Sequence, residues 1–225
     1  MLAKRKSSWF DWSFLALGLL VQLITFYFAN SLLFSEGQEI GWLSLVSGCL
    51  GVCSVCLCAQ GNIWTYIFGF GQVLTYTWLC LEAHLYASVA MNVYYFLTMI
   101  YGVYVWRRRL NPENDNRVRT RSLSFAVILT LVCVILIVSG GVGVLLQHYT
   151  SDPTPFLDAF TTVTSLVAQV LMILAFRNQW ALWFMVDLLS VAMWLYVGDY
   201  CMTAQYAFWC ANCIYGFTRW RQLSA

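Results

Sequence analysis

Long apolar stretches alternate with short polar ones along the whole chain. Each apolar stretch is about 20 residues long, which is the length of helix that crosses the hydrocarbon core of a bilayer. The pattern predicts eight transmembrane helices, at about residues 11–34, 41–59, 63–81, 85–106, 122–147, 155–175, 179–197 and 201–220.

The composition agrees with a membrane protein. Of the 225 residues, 61% are hydrophobic and 10% are charged, and the mean hydropathy is +0.70. These values are too apolar for an ordinary soluble domain. We therefore expect an all-α integral membrane protein.

Threading the eight helices alternately through the membrane places every basic residue on one side. These residues are Lys4, Arg5, Lys6, Arg107, Arg108, Arg109, Arg117, Arg119, Arg121, Arg177, Arg219 and Arg221. The opposite side receives Glu36, Glu39, Glu82, Asp152 and Asp199, with Asp158 near a helix end. Because cytoplasmic loops carry an excess of Lys and Arg, both termini are predicted to be cytoplasmic. One helix more or fewer would divide the arginines between the two faces.

The first helix and the central linker each allow a second interpretation. Basic residues before an apolar core, and small residues near Ala29, resemble a signal peptide, but the stretch is long enough to span and we expect it to be retained as an anchor. The linker "RRRLNPENDNRVRTR" (107–121) is basic enough to suggest nucleic-acid binding. We favour a juxtamembrane cluster that sets the topology and contacts anionic lipid.

The fourth and eighth helices end in similar sequences. "IYGVYVWRR" resembles "IYGFTRWRQ", and 114 residues separate Tyr101 from Tyr215 and Trp106 from Trp220. Upstream, "GNIW" (61–64) resembles "RNQW" (177–180). Helices two to four therefore repeat as helices six to eight.

Two three-helix units with the same orientation require one extra crossing between them, because three helices leave the chain on the face opposite its start. Helix five supplies that crossing, and this 3+1+3 plan is the parallel type of transporter repeat, whose site lies between the halves. The predicted units are an N-terminal helix (1–40), a first repeat (41–110), a basic loop with the linker helix (111–150) and a second repeat (151–225).

Asp187 is a carboxylate well inside a predicted span. An ionisable residue at that depth is unfavourable by at least ~2.5 kcal/mol on insertion scales, so a function is the default hypothesis. Trp180, Trp183, Ser190 and Trp194 recur around it at spacings of three and four, which places them on one helical face.

Further polar and aromatic residues form stripes on other helices. They are Asn92 and Tyr95, then Trp209, Asn212 and Tyr215, together with the amides Gln72, Gln169 and Gln205. Stacking and cation–π contacts suit a flat cationic ring, and amides bind hydroxyl or carboxamide groups. Such residues also serve helix packing in membranes, and that alternative stays open here.

The sequence lacks the residues that an enzyme or metal protein would need. The nine cysteines lie in apolar stretches without histidine company, so we expect neither a disulfide framework nor a metal site. Both histidines map to the outer face, and no Gly-x-Ser-x-Gly motif occurs. We expect a protein that is not an enzyme.

The sequences "MNVYYFLTMIYGVYVWRRR" and "WALWFMVDLLSVAMWLYVGDYCMTAQYAFWCANCIYGFTRW" resemble the PnuC family of bacterial vitamin transporters, whose best-known members carry nicotinamide riboside. The resemblance covers about residues 41–222 and rests on motifs that the family shows. These are Asn92/Tyr95 and Asn212/Tyr215, Trp180/Trp183, and the Tyr-Gly…Trp helix ends. One departure is that Asn212 maps onto Thr98 rather than onto Asn92.

The resemblance implies a fold similar to that of SWEET sugar transporters and a location in the bacterial inner membrane. It implies uptake of nicotinamide riboside by facilitated diffusion, made one-way by a cytoplasmic nucleoside kinase, with no cofactor. Related carriers of thiamine and riboflavin leave the substrate open. Proton-coupled transport with Asp187 as the titrating group is a further alternative.

Overall fold

The computed structural model describes residues 9–34, 41–82, 84, 86–112, 114–150, 153–198 and 200–224. Eight α-helices make up nearly all of this part of the chain. They are α1 (Trp9–Phe34), α2 (Trp42–Ala59), α3 (Thr65–Glu82), α4 (Tyr86–Arg107), α5 (Phe125–Tyr149), α6 (Pro155–Ile173), α7 (Gln179–Val197) and α8 (Tyr200–Gln222).

The prediction of eight helices in an all-α membrane protein is confirmed, and the predicted bounds agree within three residues. Six helices are long and apolar enough to cross a membrane by length and composition, and α3 and α8 are not among these six. These two helices are nevertheless about as long as the membrane is thick: they have 18 and 23 residues, or about 27 and 35 Å at the α-helical rise. They are less apolar because they carry amides, tyrosines and threonines.

The helices pack as two bundles, α2 to α4 and α6 to α8, which meet along two edges. At one edge α2 contacts α8, and at the other α4 contacts α6. Each edge joins the first helix of one bundle to the last helix of the other, which is the arrangement that a twofold axis between parallel repeats produces. The linker helix α5 packs against α6.

The turns between helices fix the register of the repeat. Gly61 and Ala175, which are 114 residues apart, both have positive φ, at 67° and 59°, and their N–H groups bond the carbonyls of Cys58 and Met172. The two turns are therefore equivalent, and the predicted match of "GNIW" with "RNQW" is wrong by two residues. Trp64 is 57% exposed, whereas Trp180 is buried.

The structure gathers nine of the twelve basic residues around one end of the bundles, which we call the basic face. They are Arg107, Arg108, Arg109, Arg117, Arg119, Arg121, Arg177, Arg219 and Arg221. The predicted separation of charge between the two membrane faces also used seven residues that lie outside the described ones. They are Lys4, Arg5, Lys6, Glu36, Glu39, Asp152 and Asp199.

The basic linker forms a small hairpin, which the helical prediction did not include. Strand β1 (Leu110–Asn111) pairs antiparallel with β2 (Arg117–Val118). The N–H group of Val118, at the end of β2, bonds the carbonyl of Gly61 at 2.9 Å, and the N–H group of Arg121, beyond the hairpin, bonds the carbonyl of Ala175 at 3.0 Å. The linker is therefore attached to the equivalent turn of each bundle.

Helix α1 lies in the groove between α2 and α8. Its fully buried Asp11 accepts a hydrogen bond from the Tyr215 hydroxyl at 2.7 Å and forms an ion pair with Arg219. Gly18 lets the helix approach closely, since a Cβ there would lie 2.4 Å from the Phe208 ring. The sequence analysis did not identify Asp11, which stands at a helix end where an acidic residue is unremarkable.

Candidate functional site

A cavity of about 390 Å³ lies between the two bundles. Six helices line it, α2 to α4 and α6 to α8, which are the repeated helices. Its volume falls within the range of about 300–1,000 Å³ that is typical of small-molecule sites.

Seven of the ten predicted site residues line this cavity. They are Gln72, Tyr95, Trp180, Trp183, Asp187, Trp209 and Asn212. Residues from α3, α4, α7 and α8 thus converge on one space, although up to 140 residues separate them in the chain. Their contact with a substrate stays a prediction.

The other three predicted residues do not border the cavity. Tyr215 is buried against α1, where its ring packs at a tilt against Phe14 and its hydroxyl donates a hydrogen bond to Asp11. Asn92 is buried, and Gln205 is partly buried on α8. For Tyr215 the structure gives another role, because it holds the N-terminal helix in place.

The walls of the cavity follow the repeat. Eight pairs of lining residues stand 114 positions apart, so that 16 of the 21 lining residues have an equivalent that also lines the cavity. The pairs are Val55/Gln169, Cys58/Met172, Thr65/Gln179, Tyr66/Trp180, Gly69/Trp183, Val73/Asp187, Tyr95/Trp209 and Met99/Cys213. The backbone around the cavity is therefore nearly symmetric.

The chemistry of the two halves differs in these pairs. The second repeat contributes Gln169, Gln179, Trp183 and Asp187, where the first contributes Val55, Thr65, Gly69 and Val73. At these positions α7 thus has larger or more polar side chains than α3, although Tyr66 and Gln72 add a hydroxyl and an amide to the α3 side. A guest with two unlike ends or faces fits such walls.

Asp187 is 9% exposed and lies two helical turns inside α7. Among the described residues its one hydrogen bond comes from the Cys213 thiol, at 3.4 Å, and the one ion pair present joins Arg219 to Asp11 instead. Buried carboxylates are normally paired with a cation or held by several donors. Within the described part of the chain Asp187 therefore has no cationic partner, and it lines the cavity.

Five buried polar atoms on the cavity walls also lack a hydrogen-bond partner. They are the Tyr66 hydroxyl, Trp180 Nε1, both amide atoms of Gln179 and Asn212 Oδ1. Since most buried polar side-chain atoms in proteins are hydrogen-bonded, such a cluster marks a place for a polar ligand.

The sequence analysis missed several lining residues, Tyr66, Gln179 and Tyr206 among them. The sequence held a signal for two of them. The repeat offset of 114 residues pairs Tyr66 with the predicted site residue Trp180, and Gln179 directly precedes Trp180 in the chain. Gln169, noted from the sequence, lines the cavity and donates to Thr98 Oγ1 at 3.2 Å.

Toward the basic face the cavity is closed by two tryptophans that cross between the bundles. Trp106 Nε1 donates to the Met172 carbonyl at 3.1 Å, and Trp220 Nε1 donates to the Cys58 carbonyl at 2.8 Å. Donors and acceptors are both 114 residues apart, so the two hydrogen bonds are reciprocal. We call this pair of residues the tryptophan gate.

Two glycines allow the rings above the gate to pack. A Cβ on Gly102 would lie 2.5 Å from the Tyr66 hydroxyl, and a Cβ on Gly216 would lie 2.5 Å from the Trp180 ring. Tyr66 and Trp180 in turn meet Trp106 and Trp220 edge-on, at centroid distances of 5.2 and 5.6 Å. The glycine and the tryptophan of each repeated helix end therefore form the seal of the cavity, together with Tyr66 and Trp180.

Comparison with known proteins gives one matching family, described as nicotinamide mononucleotide transporter, over residues 41–222. The chain is 29% identical over 192 residues to the nicotinamide riboside transporter PnuC of Neisseria mucosa, covering 81% of this chain and 73% of the relative. It is 26% identical to the Escherichia coli protein of the same name, over 76% of this chain and 81% of that one.

A riboflavin/roseoflavin transporter, RibM of Streptomyces davaonensis, is also similar, at 27% identity over 69% of this chain and 73% of its own length. Among solved structures, the crystal structure of the vitamin B3 transporter PnuC matches with a TM-score of 0.76 and 28% identity. That match covers 97% of this chain and 93% of the other.

Proposed function

The chain belongs to the nicotinamide mononucleotide transporter family, and from this premise we propose that it takes up nicotinamide riboside across the bacterial inner membrane by facilitated diffusion. The family and its relatives are membrane transporters rather than enzymes. The proposed substrate is the one that the names of the PnuC relatives give.

The observation that supports this substrate best is the buried Asp187, which faces the cavity without a cationic partner in the described part of the chain. A pyridinium ring supplies the missing positive charge. Trp183, which lies one turn from Asp187 along α7, offers a face for stacking and cation–π contact with that ring.

The same cavity favours the riboside over the mononucleotide. No Lys, Arg or His is among the described residues that line it. A phosphate dianion would therefore enter without a counter-charge and would lie near the Asp187 carboxylate, an arrangement that a buried site disfavours strongly. Ribose hydroxyls, in contrast, match unpartnered amide atoms such as Asn212 Oδ1.

We propose that transport proceeds by alternating access through the tryptophan gate. In this structure the gate is closed, with Trp106 and Trp220 fully buried. Rocking of the two bundles about the cavity would break the two reciprocal hydrogen bonds together and release the substrate at the basic face. Neither bond involves a titratable group, so breaking these two bonds does not itself require a proton.

The basic face is proposed to be cytoplasmic, which places both termini there, because arginines concentrate on the cytoplasmic side of membrane proteins. A cytoplasmic nucleoside kinase is the proposed functional partner. Phosphorylation would add the charge that the cavity does not accommodate, so the product would not return.

Uptake into liposomes tests the proposal. The purified protein in liposomes without an imposed ion gradient should take up labelled nicotinamide riboside with saturation, and protein-free liposomes should not. Unlabelled nicotinamide mononucleotide should compete poorly. Absence of saturable uptake, or uptake that requires an ion gradient, would contradict facilitated diffusion.

Proton-coupled transport is the second candidate, and the unpaired Asp187 is the observation that favours it. An inward proton gradient would then accelerate uptake in the wild type and have no effect in Asp187→Asn. Thiamine, another cationic ring, is the competing substrate and is distinguished by direct competition in the same liposomes. Riboflavin carries no positive charge and leaves Asp187 unmatched.

A further inference from the structure

We infer that Gln179 recognises the carboxamide of the substrate ring and thereby sets the specificity of the cavity. The inference rests on the proposed function and goes beyond it, because it states which part of the ring is recognised and by which residue.

Gln179 is the first residue of α7 and is 0% exposed, and its side-chain amide has no partner in the described part of the chain beyond a contact with the Cys58 thiol. The side chain lines the cavity close to the tryptophan gate. A primary amide that is wholly buried with neither polar atom in a regular hydrogen bond is rare, and this one belongs to a residue that lines the cavity.

The equivalent residue in the first repeat shows why this amide is unpartnered. Thr65, 114 residues earlier, donates to the Ser54 carbonyl at 2.8 Å, and the Ser54 hydroxyl donates to the Thr65 carbonyl at 2.9 Å. The residue equivalent to Ser54 in the second repeat is Ala168, which offers no side-chain partner. The first repeat thus satisfies its polar group internally, whereas the second leaves a glutamine to the cavity.

The spacing along α7 gives the orientation of the ring. Gln179, Trp183 and Asp187 follow one another at intervals of four residues, about 6 Å of rise each, and all three line the cavity. A ring stacked on Trp183 would have the amide of Gln179 toward the basic face and the carboxylate of Asp187 on the other side. Its carboxamide then points to the gate, and its cationic nitrogen with the ribose points toward Asp187.

A glutamine amide pairs with a ring carboxamide through two complementary hydrogen bonds, one donated and one accepted. A ring carboxylate offers no donor to Gln179 Oε1, and its negative charge enters a cavity that already holds Asp187. A ring without either group leaves the amide unpartnered. The site should therefore rank carboxamide above unsubstituted ring, and both above carboxylate.

The test measures binding to the purified full chain by tryptophan fluorescence. The probes are nicotinamide riboside, the pyridinium riboside that lacks the carboxamide, and nicotinic acid riboside. In the wild type, nicotinamide riboside should bind about 10- to 100-fold more tightly than the pyridinium riboside. Equal affinities of the wild type for the carboxamide and the carboxylate compounds would overturn the inference without any variant.

The variant Gln179→Met keeps the length of the side chain and removes both polar atoms. It should weaken binding of nicotinamide riboside about 10- to 100-fold and change binding of the pyridinium riboside less than about twofold. The melting temperature of the empty protein should fall little, because the amide loses at most its contact with the Cys58 thiol. Gln22→Met is the matched control, since Gln22 on α1 also has a buried unpartnered amide oxygen but does not line the cavity.

The outcomes separate this inference from the proposed function. If the wild type binds nicotinamide riboside and Asp187→Asn loses it, while Gln179→Met weakens all probes equally or none, the inference alone is overturned. If the wild type binds none of the three compounds, the proposed function fails and takes the inference with it.

Discussion

The two three-helix bundles have the same side chains at the basic face and different ones in the cavity. Gly102 and Trp106 of the first bundle recur as Gly216 and Trp220 of the second, with reciprocal hydrogen bonds between them. In the cavity, by contrast, the residue of the first bundle that is equivalent to Asp187 is Val73. If the proposed gate opens by rocking of the two bundles, identical halves suit it, whereas a substrate with unlike ends is better matched by unlike walls.

The same contrast explains how one backbone symmetry serves both tasks. The register of 114 residues holds through the turns at Gly61 and Ala175, so equivalent positions have equivalent backbone environments. Around the cavity, side-chain identity is the main difference between the halves, whereas on the outside α1 and α5 pack against only some of the helices. Experiments that make equivalent positions alike, or make like positions differ, therefore address the cavity and the gate separately.

The largest effect on substrate affinity is expected when Asp187 is replaced by the residue at the equivalent position of the first repeat. Asp187→Val copies the residue at position 73 and should weaken binding of nicotinamide riboside about 100-fold or more, since truncating one member of a buried charge pair typically removes 2–5 kcal/mol or more. The empty protein should be as stable as the wild type or more stable, because an unpaired buried carboxylate is lost.

Binding titrations and thermal melts of the empty protein check both parts of this prediction. Leu188→Val, at a position on α7 that is 51% exposed, is the control and should leave affinity unchanged. Retained affinity in Asp187→Val would show that the carboxylate does not face the cation.

An intermediate effect is expected from filling the two glycines of the seal. Gly102→Ala and Gly216→Ala each force a Cβ to within about 2.5 Å of a ring or hydroxyl in the closed state. Overpacking of this kind typically destabilises by about 1–3 kcal/mol, and we expect losses in this range for both variants because each added Cβ meets a ring of the equivalent residue, Tyr66 or Trp180.

Thermal melts compare these variants with Gly141→Ala on α5, where no atom lies within 4 Å of the added Cβ. That control should be neutral or slightly stabilising, because Ala is the better helix former. If Gly216→Ala melts like Gly141→Ala, Trp180 does not pack against α8 as described.

The smallest effect is expected from removing one hydrogen bond of the gate. Trp106→Phe and Trp220→Phe keep a ring but lose the indole donor, which is worth about 1 kcal/mol net, or about a fivefold change in the closed-to-open ratio. Reaction of the Cys58 thiol, which lines the cavity, with a maleimide reports this opening when followed by mass spectrometry.

Both gate variants should accelerate Cys58 labelling to a similar degree, and the double variant should accelerate it further. Trp64→Phe, at an exposed tryptophan of the same face, should not change the rate. Acceleration in only one of the two single variants would show that the reciprocal bonds do not act as equivalent halves of one gate.

Much of the fold was predictable because each helix is marked by its own local sequence. The eight apolar windows, the arginine side and the 114-residue repeat all depend on composition and spacing along the chain. The error in matching "GNIW" with "RNQW" arose because that alignment rested only on the identity of two residues, Asn and Trp. The positive φ of Gly61 and Ala175 identified the equivalent turns, and that information is absent from residue identity, since one is glycine and the other is not.

The candidate site was predictable only in part, because a polar residue in a span has several uses that the sequence does not distinguish. Tyr215 and Trp209 share a helix and a predicted role, yet Trp209 lines the cavity and Tyr215 is covered by α1. The residue equivalent to Tyr215 in the first repeat, Tyr101, is 54% exposed. The docking of α1 through Asp11 decided this difference. Gln179 escaped notice because an amide at a helix start is ordinary until its partners are known to be missing.

The sequence by itself determined the number of helices, their orientation relative to the arginines and the existence of two parallel repeats, since hydrophobic length and charge act locally along the chain. Only the tertiary structure decided which polar groups face the cavity and which already have partners. The physical reason is that hydrogen bonding and burial are properties of pairs of residues, and the pairs that matter here, such as Trp220 with Cys58, lie on different bundles.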